Sequence, residues 1–116
     1  MKNLQTCGNK LSYKTTLMLA DQALQIMEHI HTKGIVHRDI NPENFLMGYE
    51  ANYHLLHLID FGLAKRYIDP KTGEHIPSKT GKSLLGKPQF SSLNSHAGCE
   101  MSRRDDLESL SYMLLF

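Results

Sequence analysis

The chain has 116 residues, 41% apolar and 22% charged, enough for one small globular domain that buries roughly two thirds of its unfolded surface. Thirteen basic residues against twelve acidic ones leave a net charge of +1, so no global field draws nucleic acid or a membrane surface. No apolar run approaches the ~20 residues of a membrane span, Met1 to Lys10 lacks the apolar core of a signal peptide, and Cys7 and Cys99 are isolated without metal spacing, as reduced thiols of the cytosol or nucleus are.

The first element is a helix over Lys14 to Lys33, with Ser12 as its N-cap and Gly34 beyond its end. Leu17, Ala20, Leu24, Met27 and His31 follow the helical period, and Leu19, Ala23, Ile26 and Ile30 widen the stripe. A stripe that broad predicts burial on most sides. His29 and His31 diverge by about 200° on this helix, and His54 and His57 point to opposite faces of a strand, so neither pair suggests a metal site.

Ile35-Val36 is a short strand that delivers a loop over 37–44, in which Pro42 lacks a backbone donor and resists helix formation. Phe45 to Met47 and Tyr53 to Ile59 read as paired strands joined by 48–52, placing Asn44 at the start of one and Asp60 at the end of the other. A long irregular segment follows over 63–90, punctuated by Pro70, Gly73, Pro77, Gly81, Gly86 and Pro88. Counted from 61 to 90, six basic residues against two acidic ones leave +4, a surface suited to acidic peptides or an ordinary solvated loop. Ser102-Arg103-Arg104-Asp105 opens a last helix in the manner of a capping box, with Leu107, Leu110, Met113 and Leu114 as its apolar stripe. No glycine, cap or terminal base closes that helix before Phe116.

Two motifs carry chemistry: His37-Arg38-Asp39 with Asn44, and Asp60-Phe61-Gly62 twenty-one positions after Asp39. Their register resembles the protein-kinase signature. The resemblance implies that Asp39 orients a substrate hydroxyl and accepts its proton, and that Asp60 and Asn44 hold Mg2+ on the phosphates of ATP. Arg38 offers a fork for an activation-segment phosphate or carboxylate. Gly62 is expected to turn the chain beside the metal.

The flanking residues narrow the family. Asn44-Phe45-Leu46-Met47-Gly48, Ile59 to Lys65, Glu74-His75-Ile76-Pro77 and Ser102-Arg103-Arg104-Asp105-Asp106-Leu107-Glu108-Ser109-Leu110 look like the casein kinase I family of serine/threonine kinases. Ser92-Leu93-Asn94 is similar to the Ser-Ile-Asn which that family carries in place of Ala-Pro-Glu. The resemblance runs from Leu4 to Phe116 and implies an α+β fold over 1–116: a fragment of a protein-kinase-like fold, with a mainly helical large lobe and a small β-hairpin carrying the catalytic and metal-binding loops. No glycine-rich nucleotide loop or Val-Ala-Ile-Lys strand occurs in the chain, so the small lobe and the C-terminal helices are expected to be absent. By resemblance the chain starts in the helix before the long central one.

Three departures stand out. The family's lysine two residues after the catalytic aspartate is Asn41, its Gly-Thr-Ala-Arg-Tyr reads Gly86-Lys87-Pro88-Gln89-Phe90, and Ser111 replaces a glycine. By family analogy Asn41 and Lys87 meet near Asp39; either Lys87 partly substitutes for the cation that Asn41 has lost, or, the reading the sequence favours, the two positions have drifted independently. Asp106 matches the position whose carboxylate ties the catalytic loop in place. The expected activity is transfer of the ATP γ-phosphate to Ser/Thr hydroxyls of acidic or phosphorylated proteins, by a monomer where the full domain is present; as an incomplete domain the chain is expected to be inactive alone. The alternative is a pseudokinase or partner-binding remnant without phosphotransfer.

Overall fold

The computed structural model describes residues 2–3 and 10–115. Helix α1 spans Tyr13–Thr32. The Ser12 hydroxyl accepts the Thr15 N–H at 3.1 Å, satisfying one of the donors that a helix start leaves open. At the other end the Lys33 N–H reaches the His29 and Ile30 carbonyls, and Gly34 at φ +76° turns the chain away. Leu19, Ala23, Met27, Ile30 and His31 are buried, whereas Leu17 and Leu24 are each 51% exposed and Met18 is 59% exposed. Burial on most sides is therefore corrected to burial on one face among the described residues. Only that face meets α3 (Arg103–Leu115) and the strands.

The strands are β1 (Lys2–Asn3), β2 (Ile35–Val36), β3 (Phe45–Met47), β4 (Leu56–Leu58) and β5 (Lys65–Arg66). They form an antiparallel sheet of order β1-β3-β4 and a separate β2-β5 ladder. Lys2 and Asn3, expected at the start of a helix, instead pair as a strand, Lys2 with Met47 and Asn3 with Leu46, and the rest of that expected helix, over 4–9, lies outside the described residues. Cys7 lies outside the described residues, and Cys99 is a free thiol.

β3 and β4 pair as Phe45↔Leu58, Leu46↔His57 and Met47↔Leu56. The second strand is shorter than the apolar run suggests. A 3-10 turn takes Glu50–Asn52, and Tyr53 adopts a helical conformation. Gln22 of α1 then holds the chain where pairing begins: its amide donates to the His54 carbonyl at 2.9 Å and accepts the Leu56 N–H at 2.8 Å. One side chain thereby replaces ladder bonds and fixes the hairpin to the helix.

The core gathers Leu19, Ala23, Met27 and Ile30 of α1 with Ile40, Phe45, Leu56, Phe90, Leu110 and Met113. In α3, Leu110 and Met113 are buried but Leu107 is 40% exposed, so the expected stripe narrows. Asp105 takes the place of Leu107 on the inner face. Its carboxylate accepts the Ser102 N–H at 2.7 Å and the Ser92 hydroxyl at 2.7 Å. Ser92 meanwhile accepts the Ser95 N–H and caps the short helix α2 (Leu93–His96), so one buried carboxylate joins two helix starts.

Candidate active site

The loop between β2 and β3 is held from below by Asp106 of α3, which is 1% exposed. Its Oδ2 accepts the His37 N–H at 2.8 Å and His31 Nε2–H at 2.9 Å, and its Oδ1 accepts the Arg38 N–H at 2.8 Å. Tyr67 donates its hydroxyl to the His31 carbonyl, fixing the end of α1 beside this knot. His37, fully buried, donates from Nε2 to the Ile59 carbonyl at 3.1 Å and accepts the Asp39 N–H on Nδ1 at 3.3 Å. The backbone between His37 and Asp39 is thus bonded at each residue. That explains how Arg38 sustains φ +70°, a left-handed conformation costly for a side-chain-bearing residue.

Asp39 is half-buried, and both its carboxylate oxygens are held. Asn41 Nδ2 donates to Oδ1 at 2.9 Å and Asn44 Nδ2 donates to Oδ2 at 3.0 Å. The same two amides also reach the Asp39 carbonyl, at 3.1 and 2.8 Å. Asn41 Oδ1 in turn accepts the Glu43 N–H at 3.0 Å, capping a 3-10 turn over Pro42–Asn44. Pro42 opens this 3-10 turn at a position where its missing N–H has no consequence, which corrects the expectation that it would resist helix formation.

Asp60 reaches the site through the hairpin. The Ile59 N–H donates to the Asn44 carbonyl at 2.9 Å, so the residues expected to bind metal flank one cross-strand bond. Asp60 itself makes no hydrogen bond to Asp39 or Asn44; its Oδ1 accepts the Gly62 N–H at 3.1 Å. The left-handed residue of this turn is Asp60, at φ +60°, and Gly62 is not among the positive-φ residues. The role expected of Gly62 therefore passes to Asp60, whose side chain supplies the local hydrogen bond that makes the conformation tolerable.

Arg38 turns away from Asp39. Its Nε donates to the Leu63 carbonyl at 2.6 Å, and Nη1 lies 3.8 Å from Glu100 Oε1. Lys65 Nζ is 3.0 Å from the same oxygen and Lys82 Nζ is 3.5 Å from Oε2. Burial works against charge on Glu100, but the hydrogen bond and attraction of Lys65, joined by Lys82, outweigh it and hold the carboxyl below its ordinary value. Arg38 thus has the carboxylate partner that the sequence left unspecified. Nothing in the residues around Glu100 marked it, because its partners come from the 37–44 loop, β5 and the irregular segment.

Lys87 is corrected too. Its ammonium pairs with Glu43 rather than meeting Asn41. The residue that meets Asp39 is Gly86, at φ +72°: a Cβ there would sit 2.8 Å from Asp39 Oδ1 and 3.0 Å from the Arg38 carbonyl. Gly86→Ala should accordingly lower the melting temperature more than Gly73→Ala. Gly73 has the same φ, +72°, and nothing within 4 Å, so the difference between the two variants reports the contacts with Asp39 and the Arg38 carbonyl. Equal losses would show that the contact yields without cost.

A cavity of about 630 Å³ flanks His31, Tyr67, His75 and Arg103, away from Asp39. Among the described residues no cluster of three or more His, Cys, Asp or Glu could hold a metal ion alone.

The family model for the protein kinase domain matches residues 1–97. The chain belongs to the protein kinase family, whose members transfer a phosphoryl group and generally use ATP and Mg2+.

Proposed function

We propose that this protein is a serine/threonine kinase of casein kinase I type, with Asp39 as the group that accepts the substrate hydroxyl proton. The observation that carries this reading is the pair of amide clamps on the Asp39 carboxylate, which fix its orientation ahead of any substrate. The Ser92-Leu93-Asn94 stretch and the Ser102 to Leu110 run support the family assignment.

The donor set fits Mg2+. Asn44 Oδ1 takes no hydrogen bond from any described residue, and the exposed Asp60 carboxylate takes one, from Gly62. Hard oxygens with so few partners are the ligands that cation selects, with phosphate oxygens and water completing its shell. Once bound, the metal would neutralise charge on the phosphates of ATP. Asn44 would hold Asp39 and the cation together, its Nδ2 on one and its Oδ1 free for the other. Asn41, neutral and 1% exposed, positions Asp39 but brings no cation to the transferred group.

For substrate, we favour acidic or already phosphorylated peptides. Of the six cations in 61–90, Lys65, Lys82 and Lys87 are engaged by Glu100 and Glu43. Arg66, Lys71 and Lys79 form no ion pair among the described residues and are exposed. These three are the cations available to attract an acidic partner.

The test is phosphotransfer from Mg-ATP to an acidic serine peptide by the protein and its Asp39→Asn variant. Loss of positioned proton acceptance should lower the rate about 10²–10⁴-fold. Equal rates would remove Asp39 from the chemistry. A second reading, a pseudokinase, draws on the uncharged Asn41; nucleotide binding without transfer by the unsubstituted protein would establish it.

A further inference from the structure

We infer that Glu43 and Lys87 form a clasp holding the irregular segment onto the catalytic loop, and that both are positioning residues for the Asp39 carboxylate. The inference rests on the reading of Asp39 as the reacting carboxylate, but its geometry can be tested without turnover.

The segment is anchored on one side of the clasp. Phe90 is buried in the core, and the Lys87 carbonyl accepts the N–H groups of Phe90 at 3.0 Å and Ser91 at 3.1 Å and the Ser91 hydroxyl at 3.0 Å. On the other side, Ser78 to Leu84 are exposed. Gly86 and Lys87 join the anchored part to this exposed part, which is itself tied by the Lys82 N–H to the Gly98 carbonyl and by the Lys79 carbonyl to the Glu100 N–H. Gly86 lies close enough to Asp39 and Arg38 that a Cβ there would sit 2.8 Å from Asp39 Oδ1 and 3.0 Å from the Arg38 carbonyl. No hydrogen bond joins Gly86 to Asp39 among the described residues, so this approach draws on another tie. The adjacent Lys87 ammonium, paired with Glu43, is that tie.

Glu43 is suited to pass the constraint on. It lies within the 3-10 turn that Asn41 caps, and the Asn41 amide that accepts its N–H is the one that clamps Asp39 Oδ1. The clasp therefore grips the loop at both ends of a short path: Lys87 to Glu43, Glu43 through Asn41 to Asp39, and Asp39 to Gly86. Release would free Gly86 and loosen the turn that orients the carboxylate.

Both side chains are substantially exposed, at 39% and 42%, so the pair is screened by salt and modest in strength. Modest strength suits a tie that must open for substrate. Removing either partner should speed amide exchange over 85–91 by about two- to fivefold, the range an exposed pair supports.

The experiment compares Glu43→Gln, Lys87→Met and the charge-swapped double variant, Glu43→Lys with Lys87→Glu. Exchange over 85–91 is measured, together with the carboxyl ¹³C resonance of Asp39 at neutral pH, assigned by its loss in Asp39→Asn. A clasp predicts faster exchange and the same direction of resonance shift in both single variants, with return toward the original values in the swap. A purely through-space effect predicts opposite shifts, because one substitution removes a negative charge and the other a positive one. Opposite shifts, unchanged exchange, or a swap no closer to the original than the single variants would each overturn the clasp. If the protein transfers phosphate, kcat should fall in the single variants with KM for ATP unchanged. An unaltered kcat with faster exchange would leave a clasp that does not position Asp39, and would overturn that half of the inference. Absence of transfer by the unsubstituted protein would strike the proposed activity alone, since exchange and resonance are read without it.

Discussion

Asp106→Ala is expected to destabilise the chain by about 3–5 kcal/mol, the cost of removing one partner from a buried charged network. Its carboxylate is 1% exposed and accepts two backbone N–H groups and one imidazole N–H. Alanine leaves those donors facing a space without an acceptor, and the His37 and Arg38 amides cannot turn to water without moving the loop. A small domain holds only about 5–15 kcal/mol of stability, so a lowered urea midpoint or a lost cooperative transition should follow. The second effect is local. Without its bond to Asp106, Arg38 has less reason to remain at φ +70°, and relaxation there moves Asp39. Asp21→Ala is the control: that exposed carboxylate accepts a bond from Gln25 alone, and its loss should stay within about 0.5 kcal/mol. If Asp106→Ala melts with Asp21→Ala, the loop is held by something other than this carboxylate.

The parts of the site that were legible in the sequence are those whose causes are local or tied to a motif. The ends of α1 follow from Ser12 and Gly34, and the β3–β4 register follows from two apolar runs and the turn between them. That register brings the residue before Asp60 against Asn44. The family resemblance assigns Asp106 to a loop-tying position, and its carboxylate does accept the His37 and Arg38 N–H groups. The misses share a different cause. The strand expected over 53–59 is shortened to Leu56–Leu58, where a glutamine 34 residues earlier supplies the backbone partner. The turn after Ile59 follows the hydrogen-bonding power of an aspartate, whereas the sequence pointed to the glycine beside it. Lys87 was paired by analogy with Asn41, yet the longer Glu43 side chain two positions on offers it a carboxylate. Pairings among charged side chains depend on where loops cross, and no periodicity in the chain encodes that.

Glu100→Gln is expected to lower stability by about 1–3 kcal/mol at neutral pH, less than a fully buried pair would lose. The carboxylate is 6% exposed, but Lys65 and Lys82 are 40% and 44% exposed and can take up water when it is neutralised. Arg38, at 17%, has less access to water, but at 3.8 Å it is the most distant of the three partners. The pH dependence follows from the direction of the shift. Because the folded carboxyl lies below its ordinary value of 4.5, the unfolded chain binds more protons in the interval between the two values. Stability from Glu100 is therefore complete above about 4.5 and is lost as the pH falls through the lower, folded value. Urea midpoints of the original and Glu100→Gln proteins should differ at pH 7 and converge on strong acidification. A gap that persists or widens in acid would mean that Glu100 acts by packing alone. Convergence would mark ionised Glu100 as one of the ties among the 37–44 loop, β5 and the irregular segment.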